Sequence, residues 1–287
     1  VTSTGFIGTD ISQAENKSGW SRRKLASAES SGLTMDHYAV GCADPVLNEI
    51  DSLFRELPYR HGFSPDSWQV LTDVEILKKA GVYDIEKMRT IILMNSEFNM
   101  NNKKLGRDMM RNAEQHGTLA REQYGSRKNH WAIIAALNKR LTMDMLRLRR
   151  LAAALCSNNA KSCYDRIVNK IASLAMRRQG VPKNPIKCMF LTLQKAAHKM
   201  RTAYGVSQGS YGTNREPPLQ TIGQGNGCGP AGWAVISTPI INMMKTAGFG
   251  LSIFTSLSIT CVTFLCYSFV DDTDVVHCAR DVYTSGT

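Results

Sequence analysis

The chain has 287 residues, of which 43% are hydrophobic and 21% charged, and its formal net charge is +11. This composition excludes collagen-like and low-complexity chains, and the length suits one large domain or two ordinary ones. The positive charge favours a polyanionic partner such as nucleic acid, or an acidic membrane surface. The eight cysteines are scattered without a CxxC pair, which excludes a zinc pattern and a small disulfide scaffold. Reduced thiols of this kind predict an intracellular protein, in the nucleus or the cytoplasm.

The first half of the chain begins with a polar stretch and continues with periodic segments. Residues 1–35 are rich in Ser, Gly, Lys and Glu, which predicts a disordered leader or the tail of an upstream domain. Helical periodicity follows at 44–57, and the Ser-Pro pair that opens 64–79 predicts a second helix. The apolar run at 88–94 has the length of a strand and carries one arginine.

Most of the remaining chain shows helical patterns. Further helices are predicted by apolar periodicity over 101–117, 130–155, 162–180, 186–200 and 231–248. The second of these is apolar on one face and dense in Arg and Lys on the other. Pro239 is expected to kink or end the last one. Because strand candidates interleave with helices, the pattern predicts an α+β or α/β fold.

Residues 248–270 form an uncharged run that is long enough to cross a bilayer as a helix. The same run is rich in Ser, Thr, β-branched and aromatic residues, as buried strands are. We therefore expect strands and no membrane partner here, with a membrane anchor as the open alternative.

Two aspartates, Asp271 and Asp272, follow directly on this apolar run, and Asp274 comes two residues later. One interpretation is a strand that runs into an acidic turn, since Asp is favoured where the chain leaves a sheet. The other interpretation is a metal site, which requires partner ligands elsewhere in the chain.

Three stretches of the chain, in this order and at this separation, carry the resemblance that follows: SNNAKSCYDRI (157–167), IGQGNGCGP (222–230) and FVDD (269–272). They resemble the palm motifs of reverse transcriptases of the non-LTR, LINE-like retrotransposon type, which run D-A-x-x-A-F/Y-D, Q-G-x-x-x-x-P and F/Y-x-D-D. Upstream, EQYGSRKNH (122–130) resembles the Q-x-G-F-R stretch of that family, and KMRTIIL (87–93) resembles its R-P-I-x-L strand.

This resemblance implies an α+β, right-hand polymerase fold. The fingers would correspond to the helical region 36–150 and the palm to 151–287, with an antiparallel palm sheet packed on helices and the chain truncated before the thumb. The implied activity is that of an RNA-directed DNA polymerase, a nucleotidyltransferase that adds dNTPs to a DNA primer along an RNA template. Two divalent ions, Mg²⁺ or Mn²⁺, would be its cofactors, because hard cations favour carboxylate and phosphate oxygens.

The implied metal ligands are Asp271 and Asp272, but the first motif departs from the family pattern. Asn159 stands where an aspartate should bind both metals, while Asp165, the family's second acid, is retained. At an effective dielectric near 20, one unit charge at ~4 Å is worth on the order of 4 kcal/mol. Loss of that much from the transition state would slow the reaction roughly a thousandfold. We therefore predict weak or absent polymerase activity, or alternatively a non-catalytic nucleic-acid-binding remnant of a retroelement polymerase.

The resemblance also implies residues that contact the nucleotide. Tyr164 would be an aromatic steric gate against the ribose 2′-hydroxyl, with a core tyrosine as the alternative. Gln224 and Gly225 would lie close to the incoming nucleotide, since glycine has no Cβ to block a close approach. The alternative for this loop is an ordinary glycine-rich turn.

Basic residues would bind the phosphates of the substrates. Arg89 is implied as the residue that grips the triphosphate, and Arg127 and Lys128 as contacts to the template backbone. Three lysines could assist Arg89, with a solvated surface as the alternative: Lys78, Lys79 and Lys87.

Overall fold

The computed structural model describes residues 7–22, 31–213, 219–255 and 258–278. The helices are α1 (Gln13–Ser21), α2 (Met35–Gly41), α3 (Pro45–His61), α4 (Ser96–Gln115), α5 (Ala132–Leu148), α6 (Asn169–Arg178), α7 (Lys183–Lys195) and α8 (Gly229–Thr246). The strands are β1 (Val70–Leu77), β2 (Met88–Leu93), β3 (Ala153–Asn159), β4 (Ala197–Thr202), β5 (Gly205–Val206), β6 (Leu251–Thr255), β7 (Ser258–Phe264), β8 (Cys266–Phe269) and β9 (Asp272–Cys278). Helices and sheets are mixed in an α+β arrangement, which confirms the predicted class at this level.

The chain forms two compact units, and each unit is made of two stretches of sequence. The first unit comprises Val1–His116 and Tyr164–Gly232, and the second comprises Gly117–Cys163 and Trp233–Thr287. The predicted fingers and palm regions are contiguous in sequence, and their assignment stays a prediction.

The described part of the N-terminal segment contains a folded helix, α1, where the sequence predicted either disorder or the tail of an upstream domain. Ser12 and Glu15 form a capping box at the start of α1. Trp20 at the end of this helix is fully buried and stacks on Tyr38 with a centroid distance of 4.6 Å. Burial of one indole can hold a polar helix in place because the ring buries a large apolar area. The other leader residues, 1–6 and 23–30, lie outside the described residues.

The first unit contains a four-stranded sheet in the order β2-β1-β4-β5. β1 pairs antiparallel with β2 and parallel with β4. The predicted helix over 64–79 is therefore wrong, since only a 3₁₀ turn at Asp66–Trp68 precedes β1. β1 carries Val, Thr, Val and Ile at alternate positions, a pattern that fits a pleated strand with neighbours on both sides. The predicted strand at 88–94 is confirmed as β2.

The helices of the first unit follow the predictions in part. The helix predicted at 44–57 is confirmed as α3, and the one predicted at 101–117 lies almost entirely within α4. The segment predicted as one helix over 162–180 is a 3₁₀ turn followed by α6. The helix predicted over 186–200 ends at Lys195 in α7, and β4 begins two residues later.

The second unit contains the sheet β3-β9-β8 and the hairpin β6-β7. The uncharged run at 248–270 is confirmed as strands, namely β6, β7 and β8. Among the described residues, no helix has the length and apolar character that a membrane span needs. Apolar side chains from α5 and the strands β6, β8 and β9 form one core cluster: Leu146, Leu251, Ile253, Tyr267, Val276 and Cys278.

Two helix ends in the second unit differ from the sequence-based prediction. The segment 130–155 is not one helix, because α5 ends at Leu148 and Arg150 takes a left-handed φ of 53° before β3 begins. α8 continues past Pro239 to Thr246, so the proline does not end it. Val235 and Ile241 on either side of the proline are buried, and this packing offsets one lost backbone hydrogen bond.

Candidate active-site hairpin

The paired aspartates lie at the end of a β-hairpin in the second unit. β8 and β9 are joined by the two-residue turn of Val270 and Asp271, and Phe269 pairs with Asp272 across it. The strand β8 is buried up to Ser268, whereas Asp271 is half-buried and Asp272 is exposed. The two aspartates therefore lie at the turn that ends a buried strand, and their carboxylates are accessible to a cation. This position is compatible with both interpretations of the sequence, an acidic turn and a metal site.

Asn159 lies directly opposite Asp272 on the neighbouring strand. β3 runs antiparallel to β9, and the register pairs these two residues at the end of the ladder. The Nδ2 of Asn159 donates a hydrogen bond to Oδ1 of Asp272, and the Ala160 amide donates to the Asp271 carbonyl at 3.0 Å. The fold of the second unit thus brings together the three residues predicted to be catalytic.

The third acid of the sequence, Asp274, has a structural partner. It lies on the same face of β9 as Asp272, because side chains alternate along a strand. Its Oδ2 is 2.7 Å from the Nζ of Lys139 on α5. Burial acts to raise the pKa of the Asp274 carboxyl, but hydrogen bonds from Lys139 and Ser157 and the Lys139 charge outweigh it and lower the pKa. The Asp274 carboxylate therefore forms an ion pair that links β9 to α5.

A buried glutamine, Gln123, holds the turn of the hairpin. Its Oε1 accepts hydrogen bonds from the backbone amides of Val270 at 3.1 Å and Gly125 at 2.9 Å. Its Nε2 donates to the hydroxyls of Ser268 at 3.0 Å and Ser237 at 3.1 Å. The Gln123 side chain is fully buried, so it fixes β8, the turn and α8 to one another within the second unit.

The turn residue held by Gln123 is strained. Val270 has a φ of 58°, a left-handed conformation that is an outlier for a β-branched residue. The indole Nε1 of Trp233 donates a hydrogen bond to the Val270 carbonyl, which adds a second restraint. A Cβ at Gly125 would lie only 2.3 Å from the Val270 amide nitrogen, so glycine is required there. Such strain persists where neighbouring groups fix the backbone.

Gln123 and Gly125 lie in the stretch 122–130 that carries part of the resemblance, but the sequence alone indicated no role for either residue. The Q-x-G spacing of these two residues, which matches the Q-x-G-F-R stretch of the family, was the sequence signal that pointed to them. Arg127, which was predicted to hold template backbone, donates to the carbonyls of Ala120 at 3.1 Å and Gln123 at 3.3 Å. Its guanidinium therefore braces the loop that carries Gln123. Lys128 is exposed on the same loop.

The glycine-rich loop at 222–230 belongs to the first unit and packs closely on its own neighbours. Gly225 has a φ of 109°, and an added Cβ would lie 2.4 Å from the carbonyl oxygen of Ile92 on β2. A Cβ at Gly227 would lie 2.2 Å from Cγ of Lys103 on α4. These glycines therefore allow the loop to approach β2 and α4, whereas their contact with a nucleotide stays a prediction.

The other nucleotide-binding candidates also lie in the first unit. Gln224 donates to Oδ2 of Asp165 at 3.3 Å, and its carbonyl accepts from the Ile92 amide at 2.8 Å. Partial burial raises the pKa of the Asp165 carboxyl, although the Gln224 hydrogen bond opposes this effect. Tyr164 is half-buried, and its carbonyl accepts from the Ile222 amide at 3.0 Å. Arg89 is exposed on β2.

The hairpin fits a divalent cation only in part. Within the described residues, no group of three or more His, Cys, Asp or Glu side chains is arranged to hold a metal. Asp271 and Asp272 provide two hard carboxylates, which suits Mg²⁺ when substrate phosphates and water complete the coordination. Asn159 directs its NH₂ group toward Asp272 and adds no charge. The residues therefore match one weakly held cation better than a preformed pair.

Comparisons with known proteins place few limits on this chain. No family model matches it, and no curated protein matches it by sequence. Among solved structures it is similar to apo telomerase from Candida tropicalis truncated from its C-terminal domain, at 12% identity and a TM-score of 0.43. That match covers 83% of this chain and 49% of the other, so the chain spans about half the length of that telomerase. The fold class of the chain is defined by its own helices and sheets as α+β.

Proposed function

We propose that this chain is a reverse transcriptase-like domain of the non-LTR retroelement type, with polymerase activity weakened or lost at Asn159. The observation that carries this proposal is the pairing of Asn159 with Asp272, one residue from Asp271, at the exposed end of adjacent antiparallel strands. These three positions come from two motifs that are more than 100 residues apart, with 113 residues separating Asn159 from Asp272. Their meeting supports the motif assignment, since unrelated turns have no reason to coincide.

In this proposal Asp271 and Asp272 hold the divalent cation, Mg²⁺ or Mn²⁺. The bound cation would activate the primer hydroxyl and stabilise the departing pyrophosphate. The amide of Asn159 takes one oxygen of Asp272 into a hydrogen bond and leaves the site one charge short. Gln123 and Trp233 keep the turn that carries Asp271 in one conformation, which positions its carboxylate.

The substrates in this proposal are dNTPs, a DNA primer and an RNA template. The net charge of +11 supports a polyanionic partner, because lysine and arginine contacts to phosphate release counterions. Arg89, Tyr164, Gln224 and Gly225 are proposed for the nucleotide, and exposed Lys128 for the template. An intracellular location, in the nucleus or cytoplasm, belongs to the same proposal.

A second candidate function is nucleic-acid binding without catalysis. The observation that favours it is the Asn159 hydrogen bond, which gives Asp272 a neutral partner where a second carboxylate would attract metal. A remnant of this kind would retain the basic surface and bind nucleic acid with steep salt dependence. It would not extend a primer.

A primer-extension assay with matched variants separates these candidates. The native chain, Asn159→Asp and Asn158→Asp are compared on an RNA template with a DNA primer in Mg²⁺ or Mn²⁺. Asn158 is the control because it adds the same charge one residue away, opposite Thr273 and on the other face of β3. We expect Asn159→Asp to exceed the native rate by roughly a thousandfold, as one restored charge predicts.

The outcomes distinguish three cases. Extension by Asn159→Asp alone supports the polymerase site and the assignment of all three residues. Salt-sensitive RNA binding without extension, together with tighter Mn²⁺ binding by Asn159→Asp, supports the non-catalytic remnant. If Asn159→Asp changes neither extension nor Mn²⁺ affinity, the site assignment is wrong.

A further inference from the structure

Helices α6 and α7 of the first unit enclose an open groove whose cavity volume is about 490 Å³. We call it the α6–α7 groove, and it is lined by Lys170, Leu174, Arg177, Lys183, Lys187 and Phe190, among others. None of these residues belongs to the hairpin, the glycine-rich loop or the phosphate-binding candidates. A volume of this size accommodates several apolar side chains of a ligand.

The floor and one wall of the α6–α7 groove are apolar. Ile186 and Phe190 on α7 form the floor and are only 5% and 6% exposed. Leu174 on α6 forms the wall and is 72% exposed. An exposed aliphatic side chain such as Leu174 gains free energy when an apolar partner covers it.

The charged residues of the α6–α7 groove are all basic, and its other polar residues, Ser173 and Gln194, are neutral. Among the described residues, four cations and no acidic residue line it: Lys170, Arg177, Lys183 and Lys187. Over residues 166–201 the sequence has nine Lys and Arg residues and no Asp or Glu. In the described part of the chain, no carboxylate forms an ion pair with any of the four rim cations. An ordinary solvated helix surface mixes both signs of charge, so this rim favours an anionic partner.

We propose that the α6–α7 groove binds an acidic amphipathic helix of a partner protein. Leucine or phenylalanine side chains on one face of that helix contact the exposed Leu174. Aspartate and glutamate side chains beside them pair with the rim cations. A helix of about 12 residues, roughly 18 Å long, matches the span of α7 along the cavity.

The composition of the α6–α7 groove distinguishes a peptide from a nucleic acid. Single-stranded nucleic acids bind basic grooves through bases stacked on exposed aromatic faces. Among the described residues that line this groove, Phe190 is the only aromatic one, and it is buried. The exposed apolar surface is aliphatic, which suits the side chains of an amphipathic helix. This inference does not depend on the polymerase proposal.

Selection from a random peptide library, followed by fluorescence anisotropy on the selected peptide, tests the proposal. Peptides of about 15 residues, enough for four helical turns, are selected on the full chain and counter-selected on Leu174→Asp. We expect Leu or Phe at helical spacing with Asp and Glu between them. Leu174→Asp should weaken binding at least about tenfold, since an exposed leucine contact is replaced by a like charge. Lys170→Glu combined with Lys187→Glu should weaken it further at low salt.

Lys195→Glu is the control, because Lys195 is exposed on α7 and does not line the groove. It should leave the affinity within about twofold, as a charge change at a distance does in salt. The proposal is overturned if no peptide distinguishes the native chain from Leu174→Asp, or if the selected peptides lack acidic residues. It is also overturned if an oligothymidylate displaces the peptide and its own binding depends on Leu174.

Discussion

Asn159 and Asp272 face each other across β3 and β9, and the amide nitrogen of Asn159 donates a hydrogen bond to the carboxylate of Asp272. The carboxylate thus has a neutral partner that offers protons instead of a second negative charge. A metal site needs the reverse arrangement, in which neighbouring anions repel one another until a cation binds. The pair therefore stabilises the sheet in the absence of metal, at the expense of cation affinity.

The first prediction concerns the stability of Asn159→Asp without metal. Two like charges directly opposite on a sheet and one lost hydrogen bond should together cost about 1–2 kcal/mol of unfolding free energy. Saturating Mn²⁺ should restore about that amount through preferential binding to the folded state. Urea denaturation with and without Mn²⁺ measures both effects. The Asn158→Asp variant should show a smaller loss and no response to Mn²⁺, and equal behaviour of the two variants would contradict the prediction.

The second prediction concerns Gln123. Gln123→Ala leaves the backbone amides of Val270 and Gly125 without their acceptor. The hydroxyls of Ser268 and Ser237 lose one partner each but keep Thr273 and Ala234. Each orphaned buried group costs about 1–3 kcal/mol, so the total loss should reach several kcal/mol. Thermal or urea unfolding gives the value, and Gln115→Ala on an exposed position of α4 serves as the control. A loss below about 1 kcal/mol, the size of one ordinary hydrogen bond, would mean that Gln123 does not hold the turn.

The third prediction concerns the strain at Val270. Asparagine tolerates left-handed backbone better than valine, so Val270→Asn should raise the free energy of unfolding by about 1 kcal/mol. The matched control is Val262→Asn in β7, where valine is 42% exposed and its strand conformation suits a β-branched residue. That control should lose stability. If Val270→Asn also destabilises the chain, the positive φ carries no strain that asparagine relieves.

The fourth prediction concerns acid stability. The pKa of Asp274 lies below its unfolded value, so the ion pair with Lys139 stabilises the fold above pH ~4 and loses its effect as the pH falls further. Lys139→Met should raise the pKa of Asp274 and shift acid unfolding toward higher pH. Carbon-detected NMR titration of the Asp274 carboxyl measures the first effect, and circular dichroism measures the second. Lys195→Met should change neither, and an unchanged Asp274 titration in Lys139→Met would refute the assignment.

Local sequence patterns identified the elements whose stability comes from nearby residues. The periodicity of 44–57 was sufficient for α3, and the uncharged run at 248–270 was correctly predicted to form strands. The segment 64–79 was predicted wrongly because it contains both a helix-start signal and alternating β-branched residues. Its pairing with β4, whose partners lie about 127 residues further along the chain, decides the outcome. Such distant pairing leaves no trace in a local pattern.

The acidic residues of the candidate site were predictable from the sequence, whereas the residues that hold them in place were not. The spacing of the motifs was enough to propose that Asn159 and Asp272 meet. The role of Gln123 depends on hydrogen bonds to partners up to 147 residues away, so its geometry cannot be read from the sequence. The role of Gly225 was also ambiguous in the sequence. It was predicted to approach a nucleotide, and in the structure it packs closely against the backbone of Ile92. A missing Cβ serves internal packing and ligand access equally well.

The strand that carries Asn159 has a consequence for how the protein behaves in solution. All seven residues of β3 are exposed, and β3 is the last strand on its side of the described sheet. Its sequence, AALCSNN, includes none of the lysines or prolines that discourage edge-to-edge pairing. Concentrated preparations should therefore self-associate along this border and conceal Asn159. The exposed thiol of Cys156 on the same strand would link two copies by a disulfide on oxidation, so dilute and reducing conditions should limit this association.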